Sequence, residues 1–188
     1  MNFSTHDRKM MARALVMAAK GRFTAAPNPA VGCVISIDEN IIGEGYTRPA
    51  GENHAEIEAL NMVQDPLGSC VYVTLEPCSH EGRTGPCAQA LIDAGVARVV
   101  IACEDPNPQV CGQGIQLLKD AGIEVDCGLL EDQARDLNQG FIKRHEQGLP
   151  WVLVKMAASM DGRTAMASGQ SQWVTTPASR HDVQKLRA

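Results

Sequence analysis

Val73-Thr74-Leu75-Glu76-Pro77-Cys78-Ser79-His80-Glu81-Gly82-Arg83-Thr84-Gly85-Pro86-Cys87, read together with His54-Ala55-Glu56 upstream of it, decides how this chain folds and what chemistry it carries. The run begins in an apolar strand, Cys70–Leu75, and passes into a polar loop from Glu76 to Pro86. Pro86 suits the first position of a helix and leads into a helical stretch from Cys87 to about Ala94. His54 and Glu56 stand at the start of another helical stretch, opened by Asn53 and running to about Val63. Two residues apart, they would face nearly opposite ways in mid-helix, but in the first turn both reach past the helix end. One imidazole, His54, and two thiolates, Cys78 and Cys87, make three ligands for Zn2+. They leave one tetrahedral position for water, the open arrangement of a catalytic metal rather than a structural one. Helix N-termini favour thiolate over thiol at such cysteines. Glu56, outside the ligand set, is free to carry protons from the attacking water to a ring nitrogen and then to departing ammonia.

Taken singly, these signals are weak. Glu56 follows Asn53 by three residues, the spacing of a capping box, and alone the cap is the simpler reading. A single His54 is more often a satisfied histidine, and Cys78 and Cys87, spaced C-x8-C, are a weak metal pattern. Together, each at a strand-to-helix junction, they point to a metal site. Glu58 is a rival proton carrier, but it lies deeper in the helix and lacks the reach of Glu56.

Outward from this centre, Thr5 caps a helix running to about Lys20, with Asp7 in its first turn and Gly21 past its end. Val31–Ile37 and Ile41–Tyr46 flank the turn Asp38-Glu39-Asn40 and read as a hairpin. Beyond Ala94 the pattern alternates. Arg98–Cys103 is a strand, Gly114–Ala121 a helix, Ile123–Cys127 a strand and Glu131–Gln147 a helix. The fold predicted is α/β, an α-β-α sandwich. Its mixed sheet is antiparallel where the hairpin lies and parallel at the other edge. Gly148-Leu149-Pro150 reads as a boundary, so residues 1–147 form one domain. Residues 148–188 hold a strand, Trp151–Met156, a Ser/Gly/Gln-rich loop to Gln172, and a helix from Pro177 to Ala188. They are too few to bury a core and read as the incomplete start of a second domain.

The chain has 188 residues, 44% hydrophobic and 21% charged, with a formal net charge of −5. That balance builds a core and argues against a protein that grips nucleic acid, while leaving room for a small phosphorylated ligand. No run approaches the roughly 20 apolar residues of a membrane span. The first twenty residues lack the apolar core of a secretion signal. Seven cysteines do not suit a secreted disulfide framework. Cys33, Cys70, Cys103 and Cys127 read as small buried hydrophobes, and Cys111 has no obvious partner. A cytoplasmic protein without membrane partners is expected.

The His-x-Glu and Pro-Cys segments are similar to those of the cytidine deaminase-like superfamily, with a longer cysteine spacer, and this resemblance implies that the α-β-α sandwich with its mixed sheet is of the cytidine deaminase-like kind. The 73–87 run closely resembles that of the bifunctional riboflavin biosynthesis deaminase/reductase family. So do Pro27-Asn28-Pro29-Ala30-Val31-Gly32, Asp105-Pro106-Asn107-Pro108 and Leu137-Asn138-Gln139-Gly140-Phe141, and the resemblance covers essentially the whole chain. It implies hydrolytic deamination of 2,5-diamino-6-(5-phosphoribosylamino)pyrimidin-4-one to the 5-amino uracil derivative and ammonia. It also implies a following domain, similar in fold to dihydrofolate reductase, that reduces the ribose to ribityl with NADPH. By position, Asn28 reads the pyrimidine, and His80, Arg83, Asp105 and Asn107 line the ribose-phosphate end. Lys155–Arg163 and Ser168–Thr175 resemble the start of the reductase. That implies Ala157 and Trp173 at the NADPH, and Lys155, Ser171 and Arg187 at the substrate. The resemblance also suggests a homo-oligomer. Without it, Asn28, Asp105 and Asn107 read as turn residues beside prolines, Trp173 as a core aromatic and Arg187 as a solvated helix charge.

Two positions depart from the family. Thr47 stands where a histidine is usual, and Gly85 replaces a common proline. Two rival readings remain open. One is a deaminase of cytidine, another nucleotide or tRNA adenosine. The other is a non-enzymatic zinc-stabilised module with His80 or Cys111 as fourth ligand. No reductase activity is expected of these 188 residues.

Overall fold

Ser4, rather than Thr5, opens the first helix, α1 (Thr5–Gly21). Its hydroxyl accepts the Asp7 N–H at 3.0 Å and its own N–H donates to the Asp7 carboxylate at 2.9 Å, a reciprocal cap. Met10, Met11, Ala14, Leu15 and Ala18 form the buried stripe of this helix. The computed structural model describes residues 3–80, 85–108 and 110–187.

The hairpin forms as its alternation predicts, from β1 (Gly32–Ile37) and β2 (Asn40–Tyr46). Its turn is one residue tighter than expected, because Asp38 takes a left-handed backbone (φ 53°). β3 (Cys70–Val73) adds antiparallel to β1; β4 (Arg98–Ile101) and β5 (Glu124–Cys127) add in parallel. The sheet order is β2-β1-β3-β4-β5, the mixed sheet read from the sequence. Helices α2 (Ala55–Leu60), α3 (Cys87–Asp93) and α4 (Gln113–Asp120) follow β2, β3 and β4 respectively.

Helices cover both faces of the sheet, and two glycines show how closely. A Cβ on Gly32 would lie 2.0 Å from the Ala14 carbonyl oxygen of α1, and one on Gly45 would lie 2.1 Å from the Ala55 carbonyl oxygen of α2. Gly45 pairs with Cys33, the neighbour of Gly32, and successive strand residues point to opposite faces. So α1 and α2 lie on opposite sides. Strands covered on both faces need continuous apolar runs, and Val71, Val73, Val99 and Ile101 are wholly buried.

One polar network ties the helix cap to the sheet. Asp7 accepts from the Tyr72 hydroxyl and from Arg98 Nη1, each at 2.8 Å, and Arg98 reaches on to Asp126 at 2.6 Å. Burial works against the charge of Asp7. Hydrogen bonds from Arg98, Ser4 and Tyr72 outweigh it and hold the carboxyl well below the usual carboxylate range.

The expected single helix Glu131–Gln147 is two, α5 (Glu131–Leu137) and α6 (Gln139–Gln147). Asn138 breaks it. Its side-chain amide accepts the Ala30 N–H at 2.8 Å and donates to the Ala30 carbonyl at 2.9 Å. A short amide that serves distant backbone competes with the helix ladder.

The chain separates into two units, Met1–Pro150 and Trp151–Ala188. In the second, the expected strand Trp151–Met156 does not form. Strands need a ladder partner, and the described residues of this unit contain no other strand. The expected helix Pro177–Ala188 is α7 (Pro177–Gln184), capped by Thr176, followed by a 3-10 turn, Lys185–Arg187. Among the described residues, no helix is long and apolar enough to cross a membrane.

Candidate metal centre and its cavity

His54 occupies the N-cap of α2 with extended backbone and makes no side-chain cap bond. Cys78 lies in the loop just past β3. Cys87 is the first residue of α3, with Pro86 one position earlier than expected, at the N-cap. His54 Nδ1 lies 3.7 Å from Cys78 Sγ and 3.3 Å from Cys87 Sγ, and the three donor atoms fall within 4.8 Å of one another. The Cys87 N–H donates to Cys78 Sγ at 3.3 Å, and the Ala88 N–H to the Cys78 carbonyl at 3.1 Å, so the two cysteine segments hold each other. An imidazole and two sulfurs converging beside a cavity fit a three-ligand zinc site. Neither His80 nor Cys111 joins this group among the described residues. The Cys111 thiol instead donates to Glu104 at 3.4 Å.

The hydrogen bond from Cys87, joined by His54, outweighs burial and brings the Cys78 thiol down to about 4, while Cys87 moves far up. The first proton of the pair leaves from Cys78, with the Cys87 thiol held against it. The same Cys78 contact raises the His54 imidazole.

Glu56 is 4% exposed. Burial, reinforced by the charge of Cys78, pushes its carboxyl up to about 7. A carboxyl poised there can take and give a proton at neutral pH. The capping-box alternative does not hold. The Asn53 amide donates to Glu58 at 3.0 Å, and Arg48 clasps the other Glu58 oxygen at 2.7 Å. Glu58 is thereby occupied, whereas Glu56 faces the cavity.

That cavity has a volume of about 590 Å³. Its walls bring Asn28, His80, Asp105 and Asn107 together with His54, Glu56 and Cys78. Arg83 lies outside the described residues. Burial raises the Asp105 carboxyl, opposed by the Asn107 N–H, which donates to it at 2.8 Å. This last bond is the turn chemistry that the sequence alone allowed, so Asp105 shapes its own loop as well as facing the cavity.

Three residues escaped the sequence reading or look different in place. Thr47 is buried on the cavity wall, and its hydroxyl accepts the Val31 N–H at 3.1 Å, fixing the end of β2 to the start of β1. Asn138 braces Ala30, two residues beyond Asn28. Glu76, buried just before Pro77-Cys78, accepts four backbone N–H groups among the described residues; an acidic residue placed straight after an apolar strand was the available signal.

In the second unit, Ser171 and Trp173 line a hollow of about 320 Å³ together with Ser159 and Arg163. Lys155, Ala157 and Arg187 do not line it. Trp173 is 69% exposed, not the core aromatic that its residue type suggests, and the Arg180 guanidinium sits 4.2 Å above its ring.

Known proteins share both the sequence and the fold of this chain. Residues 4–103 match the cytidine and deoxycytidylate deaminase zinc-binding region, and residues 150–188 match the RibD C-terminal domain. Riboflavin biosynthesis protein RibD of Escherichia coli (strain K12) is 58% identical over 97% of this chain and 50% of its own length. The solved structure of Acinetobacter baumannii RibD, form 1, shares 53% identity at a TM-score of 0.91, covering 97% of this chain and 51% of that one. A diaminohydroxyphosphoribosylaminopyrimidine deaminase/5-amino-6-(5-phosphoribosylamino)uracil reductase from Thermotoga maritima shares 38% identity, also at 0.91, over 97% and 53%. The chain thus spans about half the length of the curated relatives it matches. With His54, Glu56, Cys78 and Cys87 all inside the matched residues, the chain belongs to the family of the cytidine and deoxycytidylate deaminase zinc-binding region.

Proposed function

We propose that residues 1–147 hydrolyse the exocyclic amine of 2,5-diamino-6-(5-phosphoribosylamino)pyrimidin-4-one, giving the 5-amino uracil derivative and ammonia in riboflavin biosynthesis. The observation that carries this is a buried glutamate, Glu56, poised near neutrality beside a His54/Cys78/Cys87 cluster that opens into a cavity. Zinc held by the three ligands would supply Lewis acidity, making water nucleophilic at neutral pH. Glu56 then takes a proton from that water and delivers it to the ring nitrogen beside the amine-bearing carbon. The water oxygen bonds to that carbon, Glu56 then moves the proton of the new hydroxyl to the amine, the C–N bond breaks, and ammonia leaves behind a ring carbonyl. Asn28 orients the ring edge, since an amide pairs with both donors and acceptors of a heterocycle. His80, Asp105, Asn107 and Arg83 hold the ribose-phosphate end.

Residues 148–188 are read as the beginning of an NADPH-dependent reductase that would reduce the ribose. Ala157 and Trp173 would touch the cofactor there, and Lys155, Ser171 and Arg187 the substrate. We place the whole enzyme in the cytoplasm as a homo-oligomer. Seven free cysteines among the described residues suit a reducing compartment, and light scattering measures the assembly.

The test is ammonia release from the diaminopyrimidinone by the zinc-analysed chain. Activity at one zinc per chain, lost on chelation, is expected. Glu56→Gln should keep the zinc and lose about 10³-fold in kcat. Turnover of free cytidine or a tRNA adenosine, with none of the diaminopyrimidinone, would replace this reading with another deaminase. Undiminished function in Glu56→Gln would mean a structural zinc module. NADPH oxidation by these 188 residues with the deaminated compound would overturn the reductase assignment as incomplete.

A further inference from the structure

Glu76 is 4% exposed and lines the cavity without touching the metal cluster. Its Oε1 accepts the N–H groups of Gly114 at 2.8 Å and Ile115 at 3.2 Å. Its Oε2 accepts those of Gly112 at 2.9 Å and Asp105 at 3.2 Å. Among the described residues no ion pair involves it. Burying a carboxylate with backbone donors alone is costly unless every acceptor site is used, and here both oxygens are doubly engaged.

What the carboxylate holds is more telling than how it is satisfied. The four donors sit at the two ends of one segment, Asp105 at its start and Gly112 to Ile115 at its close. Between them the segment supplies Asp105, Asn107 and Val110 to the cavity wall. Glu76 also precedes Cys78 by two residues. The segment is seated tightly on Pro77: a Cβ on Gly114 would lie 2.0 Å from the Pro77 carbonyl oxygen. A single side chain therefore gauges the distance between the sulfur ligand and the opposite wall.

We propose that Glu76 is a positioning residue for substrate binding. It fixes Asp105, Asn107 and Val110 relative to Cys78, so that this wall grips the far end of the substrate equally before and during the reaction. The proposal rests on the deaminase reading above. A neutral glutamine of the same shape would turn an N–H2 toward two of the four N–H groups, repelling the wall instead of holding it.

The test is steady-state ammonia release by the 188-residue chain and its Glu76→Gln variant. Zinc content, thermal midpoint and calorimetric binding of the deaminated product are measured alongside. KM and the product Kd should both rise about tenfold or more, the share of one charged hydrogen bond, with kcat changed by less than about threefold and zinc still at one per chain. Should the glutamine variant fail to fold, Glu76→Asp, which keeps the charge but shortens the reach, carries the same readouts and should raise KM by a smaller factor. A folded variant with unchanged KM and Kd, whatever its thermal midpoint, overturns the proposal, as does loss of zinc with the wall intact. A wild-type chain that neither turns over the diaminopyrimidinone nor binds its product sinks the deaminase reading instead.

Discussion

Val99, Val100 and Ile101 in β4 lose all their accessible surface between β3 and β5, whereas Val152, Leu153 and Val154 keep 70, 62 and 75% of theirs. The two runs are chemically near-equivalent, branched and aliphatic, and both suit a pleated ladder. What differs is the company. β4 has a strand on each side to take its N–H and C=O groups and helices to cover its side chains. The stretch after Pro150 has no strand among its described residues. β-propensity is thus a fitness for a surface that others must build, and about forty residues rarely build one.

The sharpest way to break that contrast is to cut a side chain from each run. Ile101→Ala should lower stability by about 3–4 kcal/mol, through lost burial plus the cavity left behind. Val154→Ala should change it by less than about 0.5 kcal/mol. Urea unfolding of the two variants reads both numbers. Equal losses would mean that the second run is buried in solution.

Charges repeat the contrast at smaller amplitude. Asp7 is buried in a network with Arg98 and Tyr72, while the Asp161–Arg163 pair stands 64 and 74% exposed. Asp7→Asn should cost about 2 kcal/mol, as charged hydrogen bonds of this kind do. Asp161→Asn should leave unfolding unchanged. The folded Asp7 carboxyl titrates below its ordinary value of 3.8, so its stabilisation is complete above that value. It fades as pH falls through it, because the unfolded chain binds the proton first. Wild type should therefore lose stability more steeply than Asp7→Asn from about pH 4 downward. Parallel acid titrations by circular dichroism would show otherwise if the two curves stayed the same distance apart.

The metal cluster and the mixed sheet could be read from the sequence because each rests on local signals. A histidine or cysteine at a strand-to-helix junction has one place to point, and alternating strands and helices dictate parallel pairs. The errors have two physical causes, one local and the other distant in the chain. Ser4 displaced Thr5 because its partner, Asp7, sits three residues on, a pairing that the choice of Thr5 overlooked. Asn138 broke a helix for a backbone 108 residues away. Glu76 looked like loop polarity until the segment it holds was folded against it. Trp151–Met156 looked like a strand because nothing in a strand's own sequence records whether a neighbour exists.

The smallest effect expected concerns that last stretch. Backbone without ladder or helix bonds opens at little cost, so a protease should find Trp151 to Gln172 well before any site in the sheet. Because every described residue lining the deaminase cavity lies before Pro150, a chain nicked there should keep its zinc and release ammonia within about twofold of the intact rate. Gel analysis paired with zinc and activity measurements over the digestion follows both quantities. Activity that decayed in step with the first cut would make the exposed run part of the working enzyme. Its apolar side chains would then have to be counted with the cavity rather than with the surface.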